Sequence, residues 1–320
     1  MQSLTVAPLA LPTEFVELIE RAGAYVDAAT ANNTRRAYDA AWRAFETWCQ
    51  SNGLDPLPAL PSTVGLYLTS AADEVKVSTL RLRLAAIARR HRDNDLSLDT
   101  GHPAIRKIMQ GVARTKGSAP KKKEAATDVI LRDAIRAYAS GDAAKAKRDK
   151  AILTVGFFAA LRRSELAAID IEHVTFTDEG ALITLPRRKT DQEGHGTVIG
   201  LPHKDDVITC PVAALKAWME SVQSTSGPLF RSVSRGGRVL TNRIGDRDVA
   251  RIVKDATGAA GYDADTFGGH SLRAGFITTC ARKGVPERII ATQSGHKSIN
   301  VLRGYVRRAS IFKENAAAMI

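Results

Sequence analysis

Apolar residues in the first third of the chain repeat at the three-and-four spacing of amphipathic helices. The clearest stripe comprises Tyr38, Ala41, Trp42, Phe45, Trp48 and Cys49, followed by Gly53 as a C-cap. A second stripe comprises Phe15, Leu18, Ile19, Ala22 and Val26. A third comprises Leu80, Leu84, Ile87 and His91, with Ser78 as the expected N-cap. A fourth comprises Ile105, Ile108, Met109 and Val112, and Pro103 begins its helix. With a short helix over Ser62–Ser70, residues 1–115 are predicted to form a helical domain.

The periodicity stops at residues 116–126, KGSAPKKKEAA. Gly, Ser and Pro with three consecutive lysines are typical of a linker between domains. The lysine run is either a solvated connector or a strap that follows a DNA backbone, and the pattern leaves both interpretations open.

Residues 127–320 are predicted to form a second domain that mixes helices with a few strands. Helices are predicted over Asp128–Ser140 and Asp149–Leu161. Three β-like runs follow, at His173–Thr177, Ala181–Leu185 and Thr197–Leu201. From Pro211 onward the pattern is helical, with loops at Ser221–Gly227 and Ser232–Gly237. The predicted fold class is mostly α with a small antiparallel β-sheet.

Charge narrows the choice of partner. Forty-six Lys and Arg residues against 34 Asp and Glu give a net charge of +12. The excess is concentrated, with 13 basic and 3 acidic residues between Lys76 and Lys123, whereas the first 75 residues are net acidic. A local basic excess favours a polyanionic partner, either nucleic acid or an anionic membrane.

Composition excludes several other classes of protein. With 44% hydrophobic residues the chain has enough apolar material for folded cores, which excludes wholesale disorder. The longest apolar run, Ala151–Leu161, is about half the ~20 residues of a membrane-spanning helix. No basic segment precedes the short apolar stretch at the N-terminus, so a secretory signal is not expected. Three widely spaced cysteines form neither a disulfide framework nor a metal knuckle, and they suit a reducing compartment.

Five segments of the second domain carry side chains that could act on a phosphodiester, a reaction that needs a nucleophile, cations and proton carriers. They are ALRRSEL (160–166), RRKT (187–190), GGHSLR (268–273), SGHKS (294–298) and GYVRR (304–308). Taken singly, each has an ordinary structural explanation: a surface ion pair, a solvated turn lysine, a histidine at a helix start, a loop histidine and a packed tyrosine. Their order along the chain is more informative.

In that order, the key residues resemble the Arg…Lys…His-x-x-Arg…His/Trp…Tyr motif set of the tyrosine recombinase, or phage integrase, family. They are Arg162, Lys189, His270, Arg273, His296 and Tyr305. ALRRSEL resembles the family's G-L-R-x-x-E-L box, with Ala160 where Gly is common. The resemblance extends over essentially the whole chain, and the layout is most similar to the Cre branch. One departure is His296, because Cre-like enzymes often have Trp there, whereas His is usual in integrase and Xer enzymes.

The resemblance implies a two-domain recombinase, with a helical core-binding domain and a catalytic domain that ends in an exchange helix. Tyr305 would attack the scissile phosphate and form a 3′-phosphotyrosyl link. His270 would accept the phenolic proton, and Lys189 would protonate the leaving 5′ oxygen. Arg162, Arg273 and His296 would bind the phosphate, and Glu165 would orient the first box. No metal or cofactor is implied, and the chain contains neither GxxxxGK[ST] nor GxGxxG.

The basic residues would bind double-stranded DNA. Phosphate contacts are expected from Arg81, Arg83, Arg89, Arg90, Arg106, Lys107, Lys121, Lys122 and Lys123. Candidate base-reading residues are Arg35, Arg36, Arg83 and Arg243. The apolar tail, Ile311, Phe312 and Ala316–Ile320, would dock on a neighbouring protomer and support a homo-tetramer on two paired inverted-repeat sites, or else cap its own subunit. We expect a cytoplasmic, nucleoid-associated protein.

Three other interpretations remain open. A DNA topoisomerase would use the same tyrosine chemistry on DNA of any sequence. A non-catalytic DNA-binding regulator of this fold would be expected to lack a catalytic residue, yet all six are present. Membrane-surface binding through the basic helices is disfavoured because their apolar faces lack Trp and Phe.

Overall fold

Helices dominate the chain, with short antiparallel strands in its second half, which confirms the predicted fold class. The structure is a computed structural model that describes residues 12–28, 32–117, 123–186, 196–296 and 298–310. Contacts divide the chain into two units, Met1–Lys121 and Lys122–Ile320. The division falls inside residues 116–126, the segment with the composition of a linker.

The first unit is helical. Its helices are α1 (Thr13–Ala28), α2 (Asn32–Ser51), α3 (Pro61–Ala71), α4 (Val77–Arg92) and α5 (Pro103–Lys116). The stripe on α2 builds the centre of the core, where Phe45 and Cys49 are fully buried. Leu68, Leu80 and Ile105 from the other helices are fully buried in the same cluster. Aromatic edge contacts join Phe45 to Tyr67, with ring centroids 5.1 Å apart.

Two details of this unit differ from the pattern. The predicted helix over the stripe from Phe15 to Val26 is confirmed as α1. However, Phe15, Leu18 and Ile19 on this helix are each more than half exposed. Helical period alone does not show whether an apolar face finds a partner within its own unit. The expected N-cap at Ser78 is wrong, because α4 begins at Val77 after Lys76, and no side chain caps it.

His91 is a buried polar residue that joins α4 to the loop before α3. Its Nε2 accepts a hydrogen bond from the Ala59 backbone N–H at 2.8 Å, and its Nδ1 lies 2.8 Å from the Ile87 carbonyl. The carbonyl can only accept, so Nδ1 carries the hydrogen and the ring is neutral. The sequence places His91 on the inner face of α4, and the structure buries it completely.

We expect His91→Ala to lower the free energy of unfolding of the first unit by about 2–4 kcal/mol, because it opens a cavity and leaves the Ala59 N–H without its acceptor. Urea unfolding followed by tryptophan fluorescence measures the loss, since Trp42 and Trp48 lie in this unit. His102→Ala is the control. His102 is exposed and only caps α5 through the Ala104 N–H, so its loss should be about 1 kcal/mol or less. Equal losses would contradict the role of His91.

The second unit mixes helices with two small sheets. Its elements are α6 (Asp128–Tyr138), α7 (Ala144–Phe158), α8 (Arg163–Ala167), β1 (Val174–Phe176), β2 (Gly180–Leu185), β3 (Thr197–Pro202), α9 (Pro211–Val222), β4 (Arg231–Val233), β5 (Val239–Arg243), α10 (Asp246–Ala259), α11 (Ser271–Arg282), α12 (Glu287–Ser294) and α13 (Ile299–Ser310). Short 3₁₀ turns lie at Ile171–His173 and Ala264–Thr266. No helix in the described part of the chain combines the length and apolar character needed to cross a membrane.

The three predicted β-runs form one antiparallel sheet in the order β1-β2-β3. Its second hairpin is in register from Gly180 opposite Pro202 to Leu185 opposite Thr197. The two-stranded sheet β4–β5 is a correction, because the pattern after Pro211 predicts only helices and loops. These strands are three and five residues long, which is too short for an alternation to stand out from the surrounding loop.

The core of the second unit is built around α7, whose residues Ala151–Val155 are fully buried. Helix α11 packs against α7 and α13. Helix α11 passes very close to the backbone segment that precedes α6. A Cβ at Gly275 would lie 1.7 Å from the Ala126 carbonyl oxygen. Only glycine permits this approach, so Gly275 fixes the depth of α11, which carries Arg273 and is directly preceded by His270.

Candidate active site

The first arginine box forms a tight turn between α7 and α8. Ala160 lies in this turn with φ of 49°, a left-handed conformation that costs an L-residue about 1–2 kcal/mol. Glycine, which the G-L-R-x-x-E-L box has at this position, adopts this conformation without that cost. In this conformation the buried Ala160 carbonyl accepts a hydrogen bond from Arg273 Nη1 at 2.7 Å. The turn thus joins the first box to the second.

Glu165 holds Arg162 at the start of α8. Its Oε1 accepts from Arg162 Nη1 at 2.6 Å, and its Oε2 accepts from the Arg162 backbone N–H at 2.9 Å. The Glu165 side chain is only 5% exposed, and that of Arg162 is 21% exposed. Two hydrogen bonds to a buried carboxylate make this contact more restrictive than a solvated surface pair. The geometry supports an orienting role for Glu165.

Arg273 is the most deeply buried cation near these motifs, at 1% exposure. Besides its bond to Ala160, its Nη2 lies 3.2 Å from both ring nitrogens of His296. The guanidinium is therefore held at both terminal nitrogens, one by backbone from the first box and one by the fourth motif. A planar donor fixed in this way is suited to binding phosphate oxygens.

His270 and Tyr305 are in hydrogen-bonding contact. His270 immediately precedes α11, Tyr305 lies on α13, and the two helices pack against each other. His270 Nε2 is 3.0 Å from Tyr305 Oη. The Tyr305 ring is half-buried beside a small cluster of Ile277, Ile290 and Leu302, whereas His270 is exposed. A phenol this close to an imidazole can pass its proton to the ring.

His296 is positioned by the end of α12. Gly295 has φ of 64° and ends the helix, and the His296 backbone N–H donates to the Ala291 carbonyl at 3.1 Å. The turn brings the imidazole back onto Ser294, whose Oγ is 2.7 Å from His296 Nδ1.

Two residues that the sequence reasoning missed support this arrangement. The amide Nε2 of Gln293 donates to the Phe158 carbonyl at 2.9 Å and to the Gly200 carbonyl at 3.3 Å, and so joins α12 to the end of α7 and to β3. Ser294 is fully buried against His296. The available signal was a pair of polar side chains at the end of a helix directly before Gly-His, which by itself reads as an ordinary C-cap.

The structure thus brings His270 to Tyr305, and Arg273 to His296 and to the turn that leads into Arg162. Lys189 lies outside the described residues. The strands that flank its loop are described, and they close with Leu185 opposite Thr197. Within the described residues, no group of three or more His, Cys, Asp or Glu side chains could hold a metal ion.

Seven of the candidate DNA-contacting residues are exposed: Arg35, Arg36, Arg81, Arg90, Arg106, Lys107 and Lys123. Arg90 also lies 5.1 Å from the centroid of the Trp42 ring. Others make internal contacts, since Arg83 lies 5.6 Å from the centroid of the Tyr67 ring and Arg89 pairs with Asp93 at 3.2 Å. Lys123 is exposed and its Nζ contacts the Asp265 carbonyl. Lys121 and Lys122 lie outside the described residues.

Arg243 makes hydrogen bonds inside its own unit. Its Nη1 donates to the Ala167 and Ile169 carbonyls at 2.9 and 3.0 Å, and its Nη2 pairs with Asp170. These bonds join β5 to the end of α8 and the segment that follows it. Its side chain is still 34% exposed, so its role in reading bases stays a prediction.

Comparison with known proteins agrees with the geometry. Residues 129–310 match the model of the phage integrase family. A relative described as an integrase/recombinase xerD homolog, from Selenomonas ruminantium, is 36% identical over 293 residues, which cover 89% of this chain and 84% of that protein. The recombinase cre of Escherichia phage P1 is 24% identical, over 83% of this chain and 81% of that protein.

A solved structure shares the fold. The crystal structure of the XerH site-specific recombinase, bound to a palindromic difH substrate in a post-cleavage complex, superposes with a TM-score of 0.59. The match covers 81% of this chain and 72% of that chain at 17% identity. At that identity the likeness shows the fold alone.

The chain belongs to the phage integrase family, whose members include the tyrosine recombinases. It is accordingly an enzyme of the site-specific recombinase class. The family prediction is confirmed. Placement in the Cre branch is not supported, because identity to the xerD homolog is higher than identity to Cre.

Proposed function

We propose that this protein recombines DNA at a specific site by using Tyr305 as a nucleophile that forms a 3′-phosphotyrosyl link. The observation that carries this proposal is the 3.0 Å contact between Tyr305 Oη and His270 Nε2. Arg273, three residues after His270, is buried and held at both terminal nitrogens. The nucleophile and its proton acceptor thus come from separate motifs, and the candidate phosphate-binding cation shares the motif of the proton acceptor.

The proposed step replaces one phosphodiester with another. Tyr305 Oη attacks the phosphorus and its proton passes to His270, while the bond to the 5′ oxygen breaks. That oxygen takes up a proton, which we assign to Lys189, and becomes a free 5′-hydroxyl. Arg162 and Arg273 stabilise the negative charge that builds on the non-bridging oxygens. Attack of a 5′-hydroxyl from a second duplex on the phosphotyrosine completes the exchange, so bond energy is conserved and no nucleotide cofactor is required.

We propose that the exposed cations of the first unit bind the DNA backbone. Arg81, Arg106 and Lys107 are exposed on α4 and α5, and so is Arg90, whose guanidinium also lies over the Trp42 ring. Arg35 and Arg36, exposed on α2, are candidates for base reading together with Arg83 and Arg243. The XerH complex was solved on a palindromic substrate, and we infer that this protein also acts on two inverted-repeat arms. A protein that recombines DNA in this way acts at the nucleoid, so we place it in the cytoplasm.

A pocket on the second unit supports assembly through the C-terminal segment. It has a volume of about 730 Å³ and is lined by apolar side chains from α7, α11 and α12, including Phe158, Phe276, Ile289 and Cys280. Ion pairs border it, with Lys283 Nζ 3.1 Å from Asp128 Oδ2. Residues 311–320 lie outside the described residues, and their sequence ends in small and apolar side chains. We propose that this segment of one protomer occupies the pocket of its neighbour in a tetramer.

Cys280 gives this assembly a direct test. We expect a bulky maleimide on Cys280 to weaken assembly on paired sites tenfold or more, because the label fills the pocket, while binding to a single arm persists. The other thiols are protected, since Cys49 and Cys210 are 0% and 3% exposed, and burial raises the pKa of Cys49 to about 11. Burial also raises the pKa of Cys280, so labelling should accelerate with rising pH as the reactive thiolate forms.

Native gel electrophoresis or analytical ultracentrifugation on paired sites measures the effect. In Cys280→Ala, maleimide treatment should change nothing relative to the same variant untreated. Normal assembly of fully labelled wild-type protein would exclude the pocket as the docking site.

The function is tested by recovering DNA that becomes covalently attached to the protein. Purified protein is mixed with fragmented DNA from the source replicon, denatured, and the attached DNA is sequenced. We expect enrichment of one inverted-repeat locus, with 3′ ends blocked against exonuclease and 5′-hydroxyl ends that a kinase can phosphorylate. Adducts scattered over all sequences would instead indicate a topoisomerase. Specific binding without any adduct would indicate a non-catalytic regulator.

A further inference from the structure

Ser294 occupies an unusual position next to a candidate catalytic histidine. It is the last residue of α12 and is fully buried. The left-handed Gly295 and the bond from the His296 backbone N–H to the Ala291 carbonyl return the chain onto the helix end. As a result, the Ser294 hydroxyl lies between the carbonyl of Ile290 and the imidazole of His296.

The hydrogen count in this contact is fixed. Ser294 Oγ lies 2.5 Å from the Ile290 carbonyl oxygen and 2.7 Å from His296 Nδ1. A carbonyl has no hydrogen to give, and a hydroxyl has only one, so the Ser294 hydrogen goes to Ile290. The short contact with Nδ1 then needs a hydrogen from the ring. We infer that Ser294 is a positioning residue that holds His296 as the tautomer protonated at Nδ1, an inference that rests on the proposed function for its catalytic meaning.

This tautomer determines what His296 can offer to its neighbours. Arg273 Nη2 lies 3.2 Å from both ring nitrogens, and with Nδ1 protonated only Nε2 of the neutral ring has a lone pair to accept from it. Arg273 can only donate, so it donates to Nε2. The neutral imidazole therefore holds the guanidinium, and it can donate to a phosphate oxygen only after Nε2 takes up a proton.

Ser294 thus acts on Arg273 through His296. The bond from Arg273 Nη1 to the Ala160 carbonyl fixes the other end of the guanidinium. The orientation of the phosphate-binding group depends on one backbone carbonyl from the first box and on one serine hydroxyl from the end of α12. Because each terminal nitrogen of Arg carries a second hydrogen, this arrangement sets the direction of the donors that meet the phosphate.

The tautomer is measured directly by ¹⁵N NMR of protein labelled at histidine. The chain has seven histidines, and the signal of His296 is assigned by its disappearance in His296→Gln. At a pH that leaves the ring neutral, we expect a protonated Nδ1 and an unprotonated Nε2. Ser294→Ala should shift the ring toward the Nε2-protonated form, and Ser294→Thr, which keeps the hydroxyl, should restore the original pattern. A wild-type ring protonated at Nε2 overturns the inference, whatever the activity of the variants.

Cleavage kinetics test the route through His296. The substrate is the DNA sequence identified by the adduct-recovery experiment. On this substrate, we expect Ser294→Ala to slow single-turnover cleavage about tenfold, which corresponds to the free energy of one hydrogen bond. In a His296→Gln background the same change should slow cleavage no further. An additional tenfold loss there would show that Ser294 acts by another route. Ser221→Ala removes a hydroxyl with the same helical bond, 3.2 Å from the Ala217 carbonyl on α9, and should leave the rate unchanged.

The two proposals fail separately. If wild-type protein forms no covalent adduct with any DNA, the proposed function falls, while the NMR spectrum still decides the tautomer. If adducts form and the tautomer is the other one, the function stands and the role of Ser294 does not. Thermal unfolding of Ser294→Ala verifies that the variant is folded, and the wild-type spectrum needs no variant to be decisive.

Discussion

Tyr305→Phe should abolish the covalent protein–DNA adduct while the fold and DNA binding remain. The change removes only Oη, the atom that lies 3.0 Å from His270 Nε2. The ring keeps its packing beside Ile277, Ile290 and Leu302, so the unfolding midpoint should stay close to that of the wild type. Denaturing gel electrophoresis with end-labelled DNA detects the adduct, and a gel shift measures binding.

Tyr262→Phe is the matched control for that experiment. Tyr262 lies in the same unit and donates its hydroxyl hydrogen to Asp133 Oδ2 at 2.8 Å. Loss of this hydroxyl should lower the free energy of unfolding by about 1 kcal/mol and leave adduct formation intact. An adduct formed by Tyr305→Phe would mean that another side chain is the nucleophile.

The sequence predicts elements best where one apolar face meets one core. Phe45, Leu80, Ile105 and Ile183 all lie in the cores that their periodicity indicates. It fails where an element is too short to show a pattern, or where the period does not show what a face packs against. The β4–β5 hairpin is too short to show an alternation, and the exposed face of α1 cannot be told from a buried one by its period.

The catalytic candidates were predictable because the family motif lists them, whereas the groups that position them were not. Nothing in the sequence shows that Arg243 bonds three groups inside its own unit. The left-handed Ala160 is visible only as a departure from a common glycine. The role of Ser294 follows from its distances to the Ile290 carbonyl and to His296 Nδ1, which the sequence does not provide. The roles of the six catalytic candidates stay predictions until variants are measured.

Arg273→Lys should slow cleavage by at least about a hundredfold while DNA binding stays within a few fold. Loss of one preorganised donor to a developing oxyanion costs about 10²–10³ in rate. A lysine keeps the charge but lacks the planar fork, so it cannot hold the Ala160 carbonyl and the His296 ring together while it meets a phosphate. Single-turnover cleavage on labelled DNA gives the rate, and a gel shift gives the affinity.

A second buried arginine separates this effect from simple loss of stability. Arg231 is 8% exposed and donates to the Pro228 and Ser226 carbonyls at 2.8 Å, outside the candidate site. Arg231→Lys should destabilise the unit to a similar degree, because both substitutions leave buried carbonyls short of a donor. Per folded molecule, however, Arg231→Lys should cleave at the wild-type rate. Equal rate losses in the two variants would mean that Arg273 is a structural cation, and the phosphate would then have to be bound by Arg162 and the loop that carries Lys189.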